Sequence, residues 1–95
     1  MAMDNAFEWD GPKATSNLAK HGISFERASF AFYDAFAVEI ADQRQDYGED
    51  RILLLGQERG ELLAVVYTER GDKVRIISAR KANSREREYY QRQNA

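Results

Sequence analysis

The chain has 95 residues, which is the length of one small domain. It contains no cysteine, which excludes a disulfide framework, a thiolate metal site and cysteine catalysis. Hydrophobic residues make up 43% of the chain, too many for a wholly disordered protein. No apolar run approaches the roughly 18 residues of a membrane span and no signal peptide is visible, so we expect one soluble, cytoplasmic domain over residues 1–95.

The net charge of −2 conceals an uneven distribution of charged side chains. Residues 1–50 carry four basic and ten acidic side chains, whereas residues 51–95 carry ten basic and six acidic ones. A basic segment on an acidic protein can attract the phosphate backbone of a nucleic acid. It can equally form a solvated face whose charges pair locally, so charge alone leaves both interpretations open.

The N-terminal part predicts a short strand followed by two helices. Phe7–Trp9 alternates as a strand does, and Asp10 followed by Gly-Pro is a helix-start signal. The first helix should cover residues 13–20 and end at Gly22, and Ser24 should cap the second.

The rest of the chain predicts a meander of strands and a final helix. Apolar residues alternate with period 2 from residue 36, and a polar loop is expected over Asp42–Asp50. The predicted strands cover residues 36–41, 51–56, 61–70 and 73–80, and Asn83 or Ser84 caps the last helix. This order predicts an α+β fold, a compact antiparallel sheet with two N-terminal helices packed on it and a C-terminal helix.

The hairpin from Arg70 to Arg80 carries most of the candidate chemistry. A two-residue turn at Gly71–Asp72 would place Thr68, Arg70, Lys73 and Arg75 on one face, and Tyr67, Val74, Ile76, Ser78 and Arg80 on the other. Arginine offers a planar, permanently charged fork that suits phosphate. Charged residues also protect edge strands from association, so both roles stay open.

The sole histidine, His21, follows Lys20 at the end of the first predicted helix. Both side chains can simply complement the helix dipole, and both can take part in binding or proton transfer. One histidine without cysteine makes a structural zinc site improbable, so no metal ligands are predicted.

Two stretches of the chain resemble the signatures of the BrnT toxins. The N-terminal stretch comprises Phe7–Asp10, Lys13, Asn17–Leu18, Lys20–Phe25 and Ala28. The C-terminal stretch comprises Val65–Arg70 and Arg75–Ala82, with Arg85–Glu86 and Tyr89 at its end. They occur in order over residues 7–90, which is nearly the whole chain.

This resemblance implies a RelE-like ribonuclease fold and a toxin of a type II toxin–antitoxin pair. Such a toxin would cut RNA without a metal ion or other cofactor and thereby inhibit translation. Its partner would be a BrnA-like antitoxin, a small ribbon-helix-helix DNA-binding protein, and the complex would bind its own operator DNA.

A metal-free ribonuclease must deprotonate the ribose 2′-hydroxyl, stabilise the charged phosphorane and protonate the leaving 5′-oxygen. We predict Arg70 and Arg80 as phosphate-stabilising catalytic residues, and Lys20 or His21 for proton transfer. The predicted RNA-binding residues are Tyr67, stacked on a base, with Thr68, Ser78, Arg51 and Lys13. The alternative is a non-catalytic module that holds RNA or an acidic protein with the same basic hairpin.

Overall fold

A five-stranded sheet carries three helices in the computed structural model, which describes residues 6–42 and 50–95. The strand order is β1-β5-β4-β3-β2, with β1 parallel to β5 and every other pair antiparallel. The elements in chain order are β1 (Phe7–Glu8), α1 (Gly11–His21), α2 (Phe25–Ala31), β2 (Val38–Asp42), β3 (Arg51–Glu58), β4 (Glu61–Arg70), β5 (Lys73–Lys81) and α3 (Ser84–Gln93).

The predicted α+β fold is confirmed, and the sheet is mixed rather than wholly antiparallel because β1 adds to the meander in parallel. The predicted helix caps are also confirmed, although α1 covers Gly11–His21 rather than residues 13–20. The Asp10 side chain accepts a hydrogen bond from the Lys13 N–H, and Ser24 caps α2 in the same way. Asn83 forms a capping box with Glu86 at the start of α3. Residues 43–49 of the predicted loop lie outside the described residues.

The two faces of the sheet carry different cores. On one, here called the α1/α2 face, Ile23, Phe25 and Ala28 pack against buried side chains of β3, β4 and β5. On the opposite α3 face, a smaller cluster is partly covered by Tyr89 and Tyr90. That cluster consists of Leu55, Leu62, Ala64 and Ala82. None of the helices in the described residues is long and apolar enough to cross a membrane.

The register between β4 and β5 shifts once, at a β-bulge. Val66 pairs with Ser78, but the next residue of β4, Tyr67, pairs with Ile76. Ile77 is therefore an extra residue in β5 without a partner in β4. Such an insertion reverses the alternation of faces on its far side.

This reversal corrects the predicted faces of the hairpin. Ala79, which follows the bulge, lies in the α1/α2 core together with Tyr67. Its neighbours Ser78 and Arg80 therefore point to the α3 face, where Arg70 lies. The prediction that Arg70 and Arg80 occupy opposite faces is wrong, because a simple alternation pattern does not register one inserted residue.

Gly56 allows α2 to pack closely on β3. A Cβ atom built at this position collides with the carbonyl oxygen of Ala31, at the end of α2. The obstacle is backbone rather than a flexible side chain, so any larger residue must move the helix away from the sheet.

We expect Gly56→Ala to lower the free energy of unfolding by about 1–3 kcal/mol, because the added methyl group overpacks this contact. Urea denaturation followed by circular dichroism measures the change. Gly11→Ala is the matched control, since a Cβ there meets no atom within 4 Å. Equal stability of the two variants would contradict the packing argument.

Candidate functional site

Three arginines of the hairpin lie on the α3 face of β4 and β5. Their side chains are partly exposed, at 58% for Arg70, 31% for Arg75 and 32% for Arg80. Arg80 of β5 lies opposite Ala64 of β4. Ala64 is six residues before Arg70 on the same strand, so Arg70 and Arg80 are separated by about 20 Å along the strand direction. That distance exceeds the combined reach of two arginine side chains. Arg70 and Arg80 therefore share a face but lie far apart along the strands.

Arg80 is held in a fixed orientation by the first turn of α3. Its two terminal nitrogens donate to the two carboxylate oxygens of Glu86, at 2.8 and 2.9 Å. Glu86 also accepts the backbone N–H of Asn83, as part of the capping box. A bidentate guanidinium–carboxylate pair is planar and strongly directional, so α3 sets where the Arg80 charge sits.

The far end of α3 is anchored to the turn after α2. Asp34 accepts hydrogen bonds from the Tyr90 hydroxyl at 2.6 Å and from the backbone N–H groups of Phe36 and Gln57. The Asn94 side chain adds a hydrogen bond to the Phe36 carbonyl. Because α3 has few large apolar side chains, these polar contacts fix the helix that positions Arg80.

The two anchoring groups have shifted pKa values. Burial raises the pKa of Asp34, but its hydrogen bonds from Tyr90, Gln57 and Phe36 outweigh burial, and the net direction is downward. Burial and the hydrogen bond to Asp34 raise the pKa of Tyr90 to about 12. The anchor is therefore a carboxylate accepting from a neutral phenol.

Asn17 fastens α1 to the edge of the sheet. Its buried side-chain amide donates to the Ala79 carbonyl at 2.8 Å and accepts the Ala79 N–H at 3.1 Å. Both backbone groups point away from β4. Because β1 pairs only with Val74 and Arg75, this side of β5 has no neighbouring strand at Ala79 within the described part of the chain, and α1 lies there instead. The same amide donates to the Ile23 carbonyl and thus also fixes the link to α2.

Helical geometry then separates the predicted basic residues of α1. At about 100° per residue, Ala14 lies about 60° to one side of Asn17, toward the α1/α2 core. His21 lies on the same side as Ala14, whereas Lys13 and Lys20 lie about 40–60° to the other side. The two exposed lysines are therefore on the flank of α1 that faces away from the α1/α2 core, whereas His21, although on the side of Ala14, is exposed as well.

Two predicted RNA-binding residues are buried. Tyr67 is 3% exposed, its ring contacts Phe32 edge-on with centroids 5.0 Å apart, and its hydroxyl donates to Glu39. Burial, together with the Glu39 hydrogen bond, raises the pKa of Tyr67. Thr68 is also 3% exposed and donates to the Asp50 carbonyl. Stacking of Tyr67 on a base does not fit this burial, because the ring belongs to the core.

The remaining two predicted RNA-binding residues of the sheet are half-buried. Ser78 is half-buried on the α3 face, beside Arg80 on the same strand. Arg51 is half-buried at the start of β3, where it pairs with Asp42 of β2. Within residues 6–42 and 50–95, no three acidic or histidine side chains form a group suited to a metal ion.

One comparison with known proteins identifies the family of this chain. Residues 9–86 match the family model of the ribonuclease toxin BrnT of type II toxin–antitoxin systems. The chain belongs to the BrnT family. Its target class is therefore RNA and its partner class an antitoxin. A search of curated proteins gave no match to the chain.

The residues that position the candidate site carry little signal in the sequence. Asn17 and Asp34 are ordinary polar residues in the sequence, and only their contacts with distant backbone groups reveal their roles. Glu86 carried a signal, since the spacing from Asn83 predicts a capping box. Its second partner, Arg80, was not predicted, because the pairing needs the turn between β5 and α3.

We expect Asp34→Asn to lower the free energy of unfolding at pH 7 by about 1–3 kcal/mol, because charge-assisted hydrogen bonds are lost. The folded-state pKa of Asp34 is lowered, so its contribution is complete above the unfolded pKa of about 3.9 and is lost as pH falls through the folded value. The difference from wild type should therefore shrink below about pH 4.

Urea titrations at pH 7 and at about pH 3 measure this difference. Asp72→Asn, at the exposed turn between β4 and β5, is the matched control and should resemble wild type at pH 7. An Asp34→Asn deficit of the same size at both pH values would show that the charge of Asp34 does not support the anchor.

Proposed function

We propose that this BrnT-family chain is a metal-independent endoribonuclease with Arg80 at its reaction centre. The observation that carries the proposal is the bidentate Arg80–Glu86 pair, which orients a partly exposed guanidinium on a sheet face rich in arginine. Orientation before the substrate arrives is what electrostatic stabilisation of a transition state requires. The family match supplies the substrate class, RNA.

In the proposed reaction, the ribose 2′-oxygen attacks the adjacent phosphorus and the bond from phosphorus to the 5′-oxygen breaks. The 2′-hydroxyl gives its proton to solvent, and the leaving 5′-oxygen receives one. Arg80 stabilises the negative charge that gathers on the phosphorane oxygens. The products are an RNA ending in a 2′,3′-cyclic phosphate and an RNA beginning with a 5′-hydroxyl.

Lys20 is the proton donor in this proposal. A lysine ammonium group has three N–H donors and no acceptor, so it suits the acid rather than the base role. Lys20 lies on the flank of α1 that faces away from the α1/α2 core, and α1 is bonded through Asn17 to Ala79, the neighbour of Arg80. His21 is also exposed but lies on the other flank, so we assign the donor role to Lys20. Lys13 lies about two helical turns before Lys20 on the same flank of α1, and we propose that it contacts the RNA backbone.

We expect Arg80→Ala to lower the rate of RNA cleavage at least about 100-fold, because the phosphorane loses its main charge partner. Purified wild type and variant are incubated with total RNA, and the fragments are resolved on denaturing gels. Arg92→Gln, an exposed arginine at the other end of α3, is the matched control and should cleave like wild type. Wild-type cleavage by a folded Arg80→Ala variant would sink the assignment.

The metal independence has its own test. Cleavage should continue in EDTA, and the fragments should carry 2′,3′-cyclic phosphate or 3′-phosphate ends, detected by mass spectrometry. Loss of activity in EDTA with recovery on adding Mg²⁺ would contradict the metal-free mechanism. RNA binding without any cleavage would favour the alternative, a binding module, in which Glu8 and Glu86 simply neutralise the arginines that they contact.

The proposal extends to the partner. The antitoxin of this pair is proposed to be a ribbon-helix-helix protein, and the complex is proposed to bind the operator DNA of its own promoter. The type II family supports the existence of a protein antitoxin. Co-expression of the reading frame adjacent to this gene should relieve growth arrest, and the purified pair should shift a promoter fragment that the toxin alone does not shift.

A further inference from the structure

A second cluster of positive charge lies on the α3 face, away from Arg80. Arg75 and Arg70 both approach one carboxylate oxygen of Glu8, at 3.3 and 3.9 Å. Lys73 lies directly opposite Arg70 in the hairpin. Within residues 6–42 and 50–95, this end of the α3 face thus carries three basic side chains, with Glu8 in contact with two of them and Asp72 in the turn between Arg70 and Lys73.

Such an arrangement does not serve stability. Like charges placed directly opposite each other across an antiparallel pair are destabilising, and Arg70 with Lys73 is such a pair. Among the described residues, Glu8 and Asp72 offset two of the three positive charges, and the contact of Glu8 with Arg70 is long. The excess charge is available to an anion that binds at the surface.

The spacing from Arg80 fits a second phosphate of the same RNA strand. Arg75 lies opposite Thr68, and Arg80 lies opposite Ala64. Ala64 and Thr68 are four residues apart on β4, so Arg75 and Arg80 are about 14 Å apart along the strand. At 3.4 Å per nucleotide, this distance corresponds to about four stacked nucleotides, and to fewer in an extended strand. One RNA strand running along β5 can therefore place separate phosphates at the two arginines.

We infer that Arg75 and Arg70, held by Glu8, form a second phosphate subsite that binds the RNA backbone a few nucleotides from the bond cleaved at Arg80. The inference rests on the proposed function and deepens it. It also reassigns Arg70 from the reaction centre to the flanking subsite, since about 20 Å separates Arg70 from Arg80 along β4. Both arginines offer bidentate donors, which suits phosphate oxygens.

The test measures binding of a 16-nucleotide, 2′-O-methylated RNA pool, which cannot be cleaved by 2′-oxygen attack. The dissociation constant is determined at several salt concentrations for wild type, Arg75→Gln, Arg80→Gln and the double variant. Each phosphate contact contributes about 0.7 to the slope of log affinity against log salt for single strands. We expect each single variant to lose about 0.7 of this slope and the double variant about 1.4.

The fold-losses in affinity should also multiply in the double variant, because contacts more than about 10 Å apart act independently. Arg75→Lys keeps the point charge and should keep the slope, whereas Arg92→Gln is the control at a distant exposed arginine. Arg70→Gln, at the exposed end of β4, is a second subsite variant that should fold even if Arg75→Gln does not.

Three results would overturn the subsite. Unchanged slopes for both Arg75→Gln and Arg70→Gln would show that they contact no phosphate. A double variant no weaker than Arg80→Gln would show that one phosphate is shared. Unchanged RNA binding with weaker binding of the antitoxin would make this surface a protein interface. Failure of wild type to cleave unmodified RNA would instead refute the proposed function, independently of these slopes.

Discussion

The single inserted residue in β5 is the constraint on which the functional face depends. Without Ile77 in a bulge, Arg80 would point into the α1/α2 core with Tyr67, and Ala79 would lie on the surface. With the bulge, the small side chain of Ala79 lies in the core where α1 contacts the sheet, and Arg80 lies on the α3 face. The bulge thus places an apolar residue in the core and a charged residue on the surface, although the two are neighbours in the chain.

Two polar anchors fix the helices around this face. Asn17 replaces a missing neighbouring strand at the edge of β5, because its amide satisfies both backbone groups of Ala79. Asp34 holds the end of α3 whose beginning carries Glu86. Each anchor is a buried or half-buried polar group with all its partners present, which gives directionality that a small apolar core cannot supply.

The three hairpin arginines on this face, Arg70, Arg75 and Arg80, all contact a carboxylate. Glu86 orients Arg80, and Glu8 restrains Arg75 and Arg70. Such pairs limit the number of rotamers that an arginine adopts before RNA arrives, so less entropy is lost on binding. In the proposed complex with RNA, a phosphate shares or replaces the carboxylate, and this exchange moderates the affinity.

The sequence by itself determined the helix caps, the strands of the meander, the Gly71–Asp72 turn and the membership of the BrnT family, because these depend on residues close together in the chain. Only the tertiary structure decided which residues share the functional face. One inserted residue in β5 reverses the alternation of faces without changing the local pattern, so alternation alone places Arg80 on the wrong face. The burial of Tyr67 on β4 has a different cause, since it depends on contacts with Phe32 and the rest of the α1/α2 core. Likewise, Asn17 and Asp34 bond backbone groups 62 and 23 residues away, and no local spacing encodes such contacts.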